Sequence, residues 1–161
     1  MAEKIPPREL LHPVNFLALG FGSGLAPVAP GTAGTLVAIP VYLLLQPLAL
    51  DQYLVLLAAL FVAGIPICAF TAKRLDVHDH PGIVWDEIVG MYIVLIVTPL
   101  GLLPWILAFA LFRAFDIVKP WPIRDLDHSL RGGAGIMLDD VLAAAYATLL
   151  ITAGQHAIAA F

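Results

Sequence analysis

The sequence predicts an all-α fold, a polytopic membrane helical bundle with broken or re-entrant helices, and three observations lead there. Hydrophobic residues make up 61% of the 161-residue chain and charged residues 12%, against roughly 25% charged in an ordinary soluble domain. Mean hydropathy is +0.94. The charges are also segregated: no Asp, Glu, Lys or Arg occurs between Leu10 and Leu50, Gln52 and Ala72, Ile88 and Phe112, or Val141 and Phe161. Uncharged apolar stretches of 18 or more residues are long enough to cross a bilayer, so lipid is the expected solvent for much of the chain.

Residues 1–13 read as a polar, Pro-containing lead-in, and 14–161 as a single helical membrane domain. The start, "MAEKIPPREL", lacks the apolar core and cleavage site of a signal peptide, so the chain is expected to keep its N-terminus. In "FLALGFGSGLAPVAPGTAGTL" five glycines and two prolines make a continuous helix improbable over 20–31. A short helix, a loop and a new helix near Thr32 fit better, with Thr32 as the N-cap. The runs 36–50 and 53–70 read as a helical hairpin joined around Asp51. Pro40 and Pro66 should kink these helices without ending them, as membrane helices tolerate. Lys73 and Arg74 close the second helix on a basic note that suggests the cytoplasmic side.

The run 88–112 is interrupted by "TPLGLLP". A break at 99–104 gives two helices of about a dozen residues, each roughly 18 Å long, too short for the ~30 Å hydrocarbon core. A shallow or re-entrant hairpin follows, and it returns Asp116 to the face that holds Asp86. The last apolar run, 141–161, is rich in Ala and suited to close helix packing.

Net charge is −4, which argues against nucleic acid. Cys68 is the sole cysteine, which excludes an internal disulfide. Lying in an apolar run without a basic neighbour, it reads as packing. Trp85, Trp105 and Trp121 are most simply interfacial aromatics. No G-x-S-x-G or P-loop appears, no Cys sits in a phosphate loop with a downstream Arg, and "DLD" at 125–127 lacks the context of an aspartyl nucleophile.

Chemistry concentrates in the acids. Nine of the twelve lie between Asp76 and Asp140, gathered at helix boundaries, where ionisable groups at membrane depth are costly and usually functional. Asp86 and Glu87 are adjacent, diverge by about 100° on a helix and should not face the same way. One could bind a metal while the other binds a second metal, orients a water or pairs with a base. Asp139 and Asp140 repeat the pair at the head of the last helix. Arg113, Asp116 and Lys119 fall at three-residue spacing along one stripe. Hard cations such as Mg²⁺ take carboxylate oxygens, with waters and substrate phosphate completing the shell. Asp86, Glu87, Asp139 and Asp140 are the candidate metal ligands, and Asp86, Glu87, Asp116, Asp139 and Asp140 the candidate catalytic acids. Arg113, Lys119 and Arg124 are the groups expected to hold phosphate oxygens. The loops "GFGSGLAPVAPGT" and "RGGAGIM" allow close backbone approach to a headgroup, with Ser23 and Thr32 as further substrate-binding candidates. His78 and His80 could be metal ligands or proton donors to a leaving alkoxide; a solvated interfacial loop is the alternative for both. A cation-coupled transporter would also keep acids at helix ends, but its sites should lie near the midplane, within broken helices.

"GFGSGLAPVAPGTAGTL", "HDHPGIVWDEIVGM", "FRAFDIVKPWPIRDLD" and "GGAGIMLDD", in this order, closely resemble the phosphatidylglycerophosphatase A family of bacteria over roughly residues 14–150. The resemblance implies an inner-membrane, Mg²⁺-dependent phosphatase that converts phosphatidylglycerophosphate to phosphatidylglycerol and phosphate, on the route to cardiolipin. It further implies an all-α fold shared with soluble relatives, so that the membrane segments are shallower than hydropathy suggests. By position, Asp86, Glu87, Asp116, Asp139 and Asp140 inherit the metal and catalytic roles.

Overall fold

The computed structural model describes residues 4–77, 79–125 and 132–160, and every regular element among them is helical. A 3-10 turn, Pro7–Leu11, leads into α1, Pro13–Ala18, which starts on Pro13 at a position that needs no N–H donor. α1 stops because Gly20 (φ 52°), Phe21 (φ 59°) and Gly22 (φ 102°) turn left-handed, and a second 3-10 segment, Gly20–Leu25, follows. α2 runs Pro30–Leu45 and α3 Leu50–Arg74. α2 starts two residues before Thr32, because Pro30 carries helical φ already. Thr32 is therefore inside the first turn and is not the N-cap. The hairpin turn lies at 46–49, so Asp51 falls in the first turn of α3, where a carboxylate complements the helix dipole. Both helices run through their prolines, Pro40 and Pro66, and α3 ends on Lys73 and Arg74 as expected.

α4, Trp85–Leu95, and α5, Leu102–Val118, are the two halves of the broken run. Gly101, at φ 141°, opens α5 in a conformation that favours glycine. α4 is buried nearly all round and packs against α2, α3, α5 and the last helix, Gly133–Ala159, as a helix apolar on every side should. The carbonyls at and just beyond its end lack partners within the helix, and neighbours supply the donors. The Tyr53 hydroxyl donates to Tyr92 O at 2.9 Å, the Tyr42 hydroxyl to Leu95 O at 3.1 Å, and Gln155 Nε2 to Val97 O at 2.8 Å. Trp85 anchors the other end by donating to Leu60 O at 3.2 Å. Trp85 is thus a core residue, 6% exposed, and not an interfacial one, unlike Trp121, which is 76% exposed.

α6, Gly133–Ala159, begins eight residues before the uncharged run. Gly133 makes this early start workable: a Cβ there would stand 1.8 Å from Ile65 O, so the backbones of α6 and α3 touch. The "GGAGIM" stretch is therefore mostly helix, and Asp139 and Asp140 are its seventh and eighth residues, not its head. Cys68 is fully buried with Sγ 3.9 Å from Met137 Sδ, as packing predicts. The outer surface stays apolar, with Val55 and Val62 on α3, Leu103 and Leu107 on α5, and Leu149 on α6 exposed. Among the described helices, α3 and α6 are long and apolar enough to cross a membrane, and α2 is a shorter apolar helix.

Candidate active site

The first turn of α4, the last turns of α5 and the second turn of α6 meet at one end of the bundle. One carboxylate oxygen from each of Asp86, Glu87 and Asp140 lies within 4.8 Å of the other two. Asp86 and Glu87 do converge, contrary to the expectation from helical angles. Glu87 is one methylene longer, and its carboxylate lies beside that of Asp86.

Arg113 Nη1 stands 3.6 Å from Glu87 Oε1 and hydrogen-bonds Asp116 Oδ2 one turn further along α5. Asp116 also reaches Asp140. Glu87 and Asp116 thus share one guanidinium, and each also reaches a further carboxylate, Asp86 and Asp140 respectively. Asp86 Oδ1, Glu87 Oε2 and Asp140 Oδ2 are buried oxygens that accept no hydrogen bond from a described residue. Buried polar atoms normally have partners, and a cluster of hard, anionic oxygens left over is what a divalent cation would satisfy. The donor set therefore fits a metal ion.

Electrostatics agree. Burial pushes the Glu87 carboxyl up to about 7, partly offset by its hydrogen bond with Asp86. Burial, then the charges of Glu87 and Asp140, holds Asp86 well above the usual carboxylate range. Bringing all these groups to the ionised state requires added positive charge.

The remaining candidates separate. Lys119 ends α5 at φ 44°, which swings it off the Arg113–Asp116 stripe, and its Nζ donates to Asp139 Oδ2 at 2.6 Å. Asp139 diverges from Asp140 around the helix and lies outside the three-carboxylate cluster. His80 is buried in a tight turn where its Nδ1 accepts the Gly82 N–H at 3.0 Å, so Nε2 carries the proton of the neutral ring. It forms part of the wall of a cavity of ≈ 570 Å³ bounded also by Lys4, Gly24 and Pro30. Ser23 donates to Gly20 O at 2.7 Å, Thr32 is half-buried on α2, and Arg124 is exposed. His78 lies outside the described residues.

One neighbour of the cluster was not anticipated in this role: Gly31, whose α-carbon packs directly on Glu87 and Arg113. Its glycine spacing from Gly34 is visible in the sequence, but the pairing with α4 is not.

Residues 16–155 match the family model described as PgpA: Phosphatidylglycerophosphatase A. The chain belongs to the phosphatidylglycerophosphatase A family. It is 49% identical over 163 residues to a Haemophilus influenzae protein named phosphatidylglycerophosphatase A, covering 97% of this chain and 98% of that protein. The Escherichia coli protein of the same name is 43% identical over 150 residues, covering 92% and 87%. A Bacteroides thetaiotaomicron protein, provisionally named a phosphatidylinositol-3-phosphatase, is 42% identical over 153 residues, covering 88% and 93%. No solved structure matches the chain significantly. All three relatives carry phosphatase names, and the transporter reading gains nothing from them.

Proposed function

We propose that this phosphatidylglycerophosphatase A family member hydrolyses the terminal phosphomonoester of phosphatidylglycerophosphate, releasing phosphatidylglycerol and phosphate in bacterial phospholipid synthesis. The observation that carries the reading is the convergence of Asp86, Glu87 and Asp140 beside Arg113 in a chain of this family.

The ion proposed is Mg²⁺, held by Asp86, Glu87 and Asp140. When bound it supplies positive charge against the phosphoryl oxygens and lowers the pKa of a water. The protein's own groups do the rest. Arg113, braced by Asp116 and Glu87, offsets charge that develops on the phosphoryl oxygens in the transition state. A water oxygen forms the new bond to phosphorus as the phosphorus–oxygen bond to glycerol breaks. Glu87 or Asp116 accepts the water's proton, and the departing glycerol oxygen takes one, with His80 or His78 the proposed donor. Lys119 is proposed to act through Asp139, fixing the rotation of α6 that aims Asp140 inward. Arg124, Ser23 and Thr32 are assigned to the periphery of the substrate.

We place the protein in the bacterial inner membrane as a multi-pass chain, its site facing the cytoplasm. Supporting this are the length and apolar surface of α3 and α6. The basic end of α3, Lys73 and Arg74, also precedes the segment that leads to Asp86. Residues 14–161 act as one catalytic unit in this scheme.

The test is phosphate release from phosphatidylglycerophosphate by purified protein in detergent, with Mg²⁺ and with EDTA, and with phosphatidylinositol 3-phosphate as a rival substrate. Mg²⁺-dependent release that Asp86→Asn abolishes is expected. Turnover equal in EDTA, or unchanged in Asp86→Asn, would overturn the assignment; preference for the inositol lipid would overturn the substrate.

A further inference from the structure

We propose that Gly31 is a positioning residue for the site. Its missing side chain is the space into which the Glu87 carboxylate and the Arg113 guanidinium fit. A Cβ at residue 31 would stand 2.1 Å from Glu87 Oε1, 3.1 Å from Glu87 Cδ and 3.1 Å from Arg113 Nη2. The side chain would therefore wedge into the 3.6 Å ion pair of those two groups, and one of them must leave its place.

Gly31 needs its lack of a side chain here for space alone. It lies within α2, in right-handed helix, and its conformation suits any residue. Gly34, one turn on, is tight for a different reason: its Cβ would meet Val84 at 2.6 Å, an apolar packing contact. Two glycines on one helix face thus do different jobs, Gly34 bringing α2 against the base of α4 and Gly31 leaving room for the charges. The Thr35 hydroxyl, donating to Gly31 O at 2.8 Å, holds this turn of α2 in place, so relief by shifting the backbone is opposed.

The inference rests on the metal-holding role given to Glu87 above, and its test is chosen to be independent of substrate. In a helix Ala is intrinsically better than Gly. Gly154→Ala, on α6 with nothing within 4 Å of its Cβ, should therefore raise the Tm, by about 2–4 °C. Gly31→Ala should lower it in EDTA, by about 5 °C, and weaken Mn²⁺ binding, followed by EPR, at least tenfold. Glu87→Asp, one methylene shorter, should cancel most of the stability loss from Gly31→Ala, a non-additivity read from a double-mutant cycle. If Gly31→Ala alone does not fold, recovery of folding in the double variant supports the proposal and failure to recover overturns it. Gly31→Ala as stable as the parent with unchanged Mn²⁺ affinity overturns it, as does a penalty that Glu87→Asp leaves undiminished. Absence of phosphatase activity in the parent would count against the proposed reaction and leave the stability coupling intact.

Discussion

Replacing Asp140 by Asn separates stability from function, since a cluster built for a cation should strain the protein that lacks one. Oxygens of Asp86, Glu87 and Asp140 lie within 4.8 Å of each other. At that separation two full charges repel by roughly 3 kcal/mol with an effective dielectric near 20. The metal-free protein avoids part of this by keeping protons on the cluster, as the raised Glu87 and Asp86 carboxyls indicate. Asn keeps the shape and removes the charge, so Asp140→Asn should stabilise the metal-free protein by about 1–2 kcal/mol. For a chain of this length that is about 3–6 °C in Tm. The assay is thermal unfolding in detergent with EDTA and with Mg²⁺, alongside phosphate release. The parent should gain Tm on adding Mg²⁺; the variant should start higher, gain little and turn over no substrate. A variant that melts lower than the parent in EDTA yet still responds to Mg²⁺ would refute the reasoning.

Three further outcomes follow from the same geometry. Glu87 has its folded pKa raised from 4.5 to about 7, so the folded state holds that proton more tightly than the unfolded one. Its contribution is fully present below pH 4.5 and is lost as pH rises through 7; in EDTA the Tm should fall between pH 5 and 7.5, and Mg²⁺ should flatten that decline. Lys119→Met removes a 2.6 Å partner from a carboxylate that is 8% exposed. It should cost about 2 kcal/mol, much of it regained when Asp139→Asn is added, measured by chemical or thermal unfolding. Asn15 is fully buried; it donates to Glu9 Oε2 at 2.7 Å and accepts the Thr71 hydroxyl at 3.0 Å. Asn15→Leu strands that hydroxyl and should cost about 2 kcal/mol, whereas Arg74→Ala, losing a 2.6 Å pair whose guanidinium is 46% exposed and screened by solvent, should cost clearly less; equal losses would contradict the burial argument.

The break between α4 and α5 was legible because proline and glycine act locally: "TPLGLLP" ends one helix and begins another whatever surrounds it. α3 was nearly legible: Lys73–Arg74 marked its end, while the joint expected around Asp51 falls inside its first turn. The start of α6 was not. Its first turns carry two acids that composition reads as a boundary, while the contact of Gly133 with Ile65 that extends the helix joins residues 68 apart in the chain. Likewise Trp85, flanked by charge, reads as interfacial until α3 is seen to cover it.

The acids divide the same way. Scarcity of charge in an apolar chain singled out Asp86, Glu87, Asp116, Asp139 and Asp140 by itself, but the helix-end position expected for the last two fails, since both lie within α6. Which of two neighbours turns inward was decided only by tertiary structure. Asp140 joins the cluster and Asp139 goes to Lys119 because packing of α6 on α3, α4 and α5 sets the helix's rotation about its own axis. Asp86 and Glu87 share one cluster because α4 is enclosed on every side. Helical spacing gives the angle between adjacent residues but not the direction of either, and that direction belongs to the neighbours against which the helix is packed.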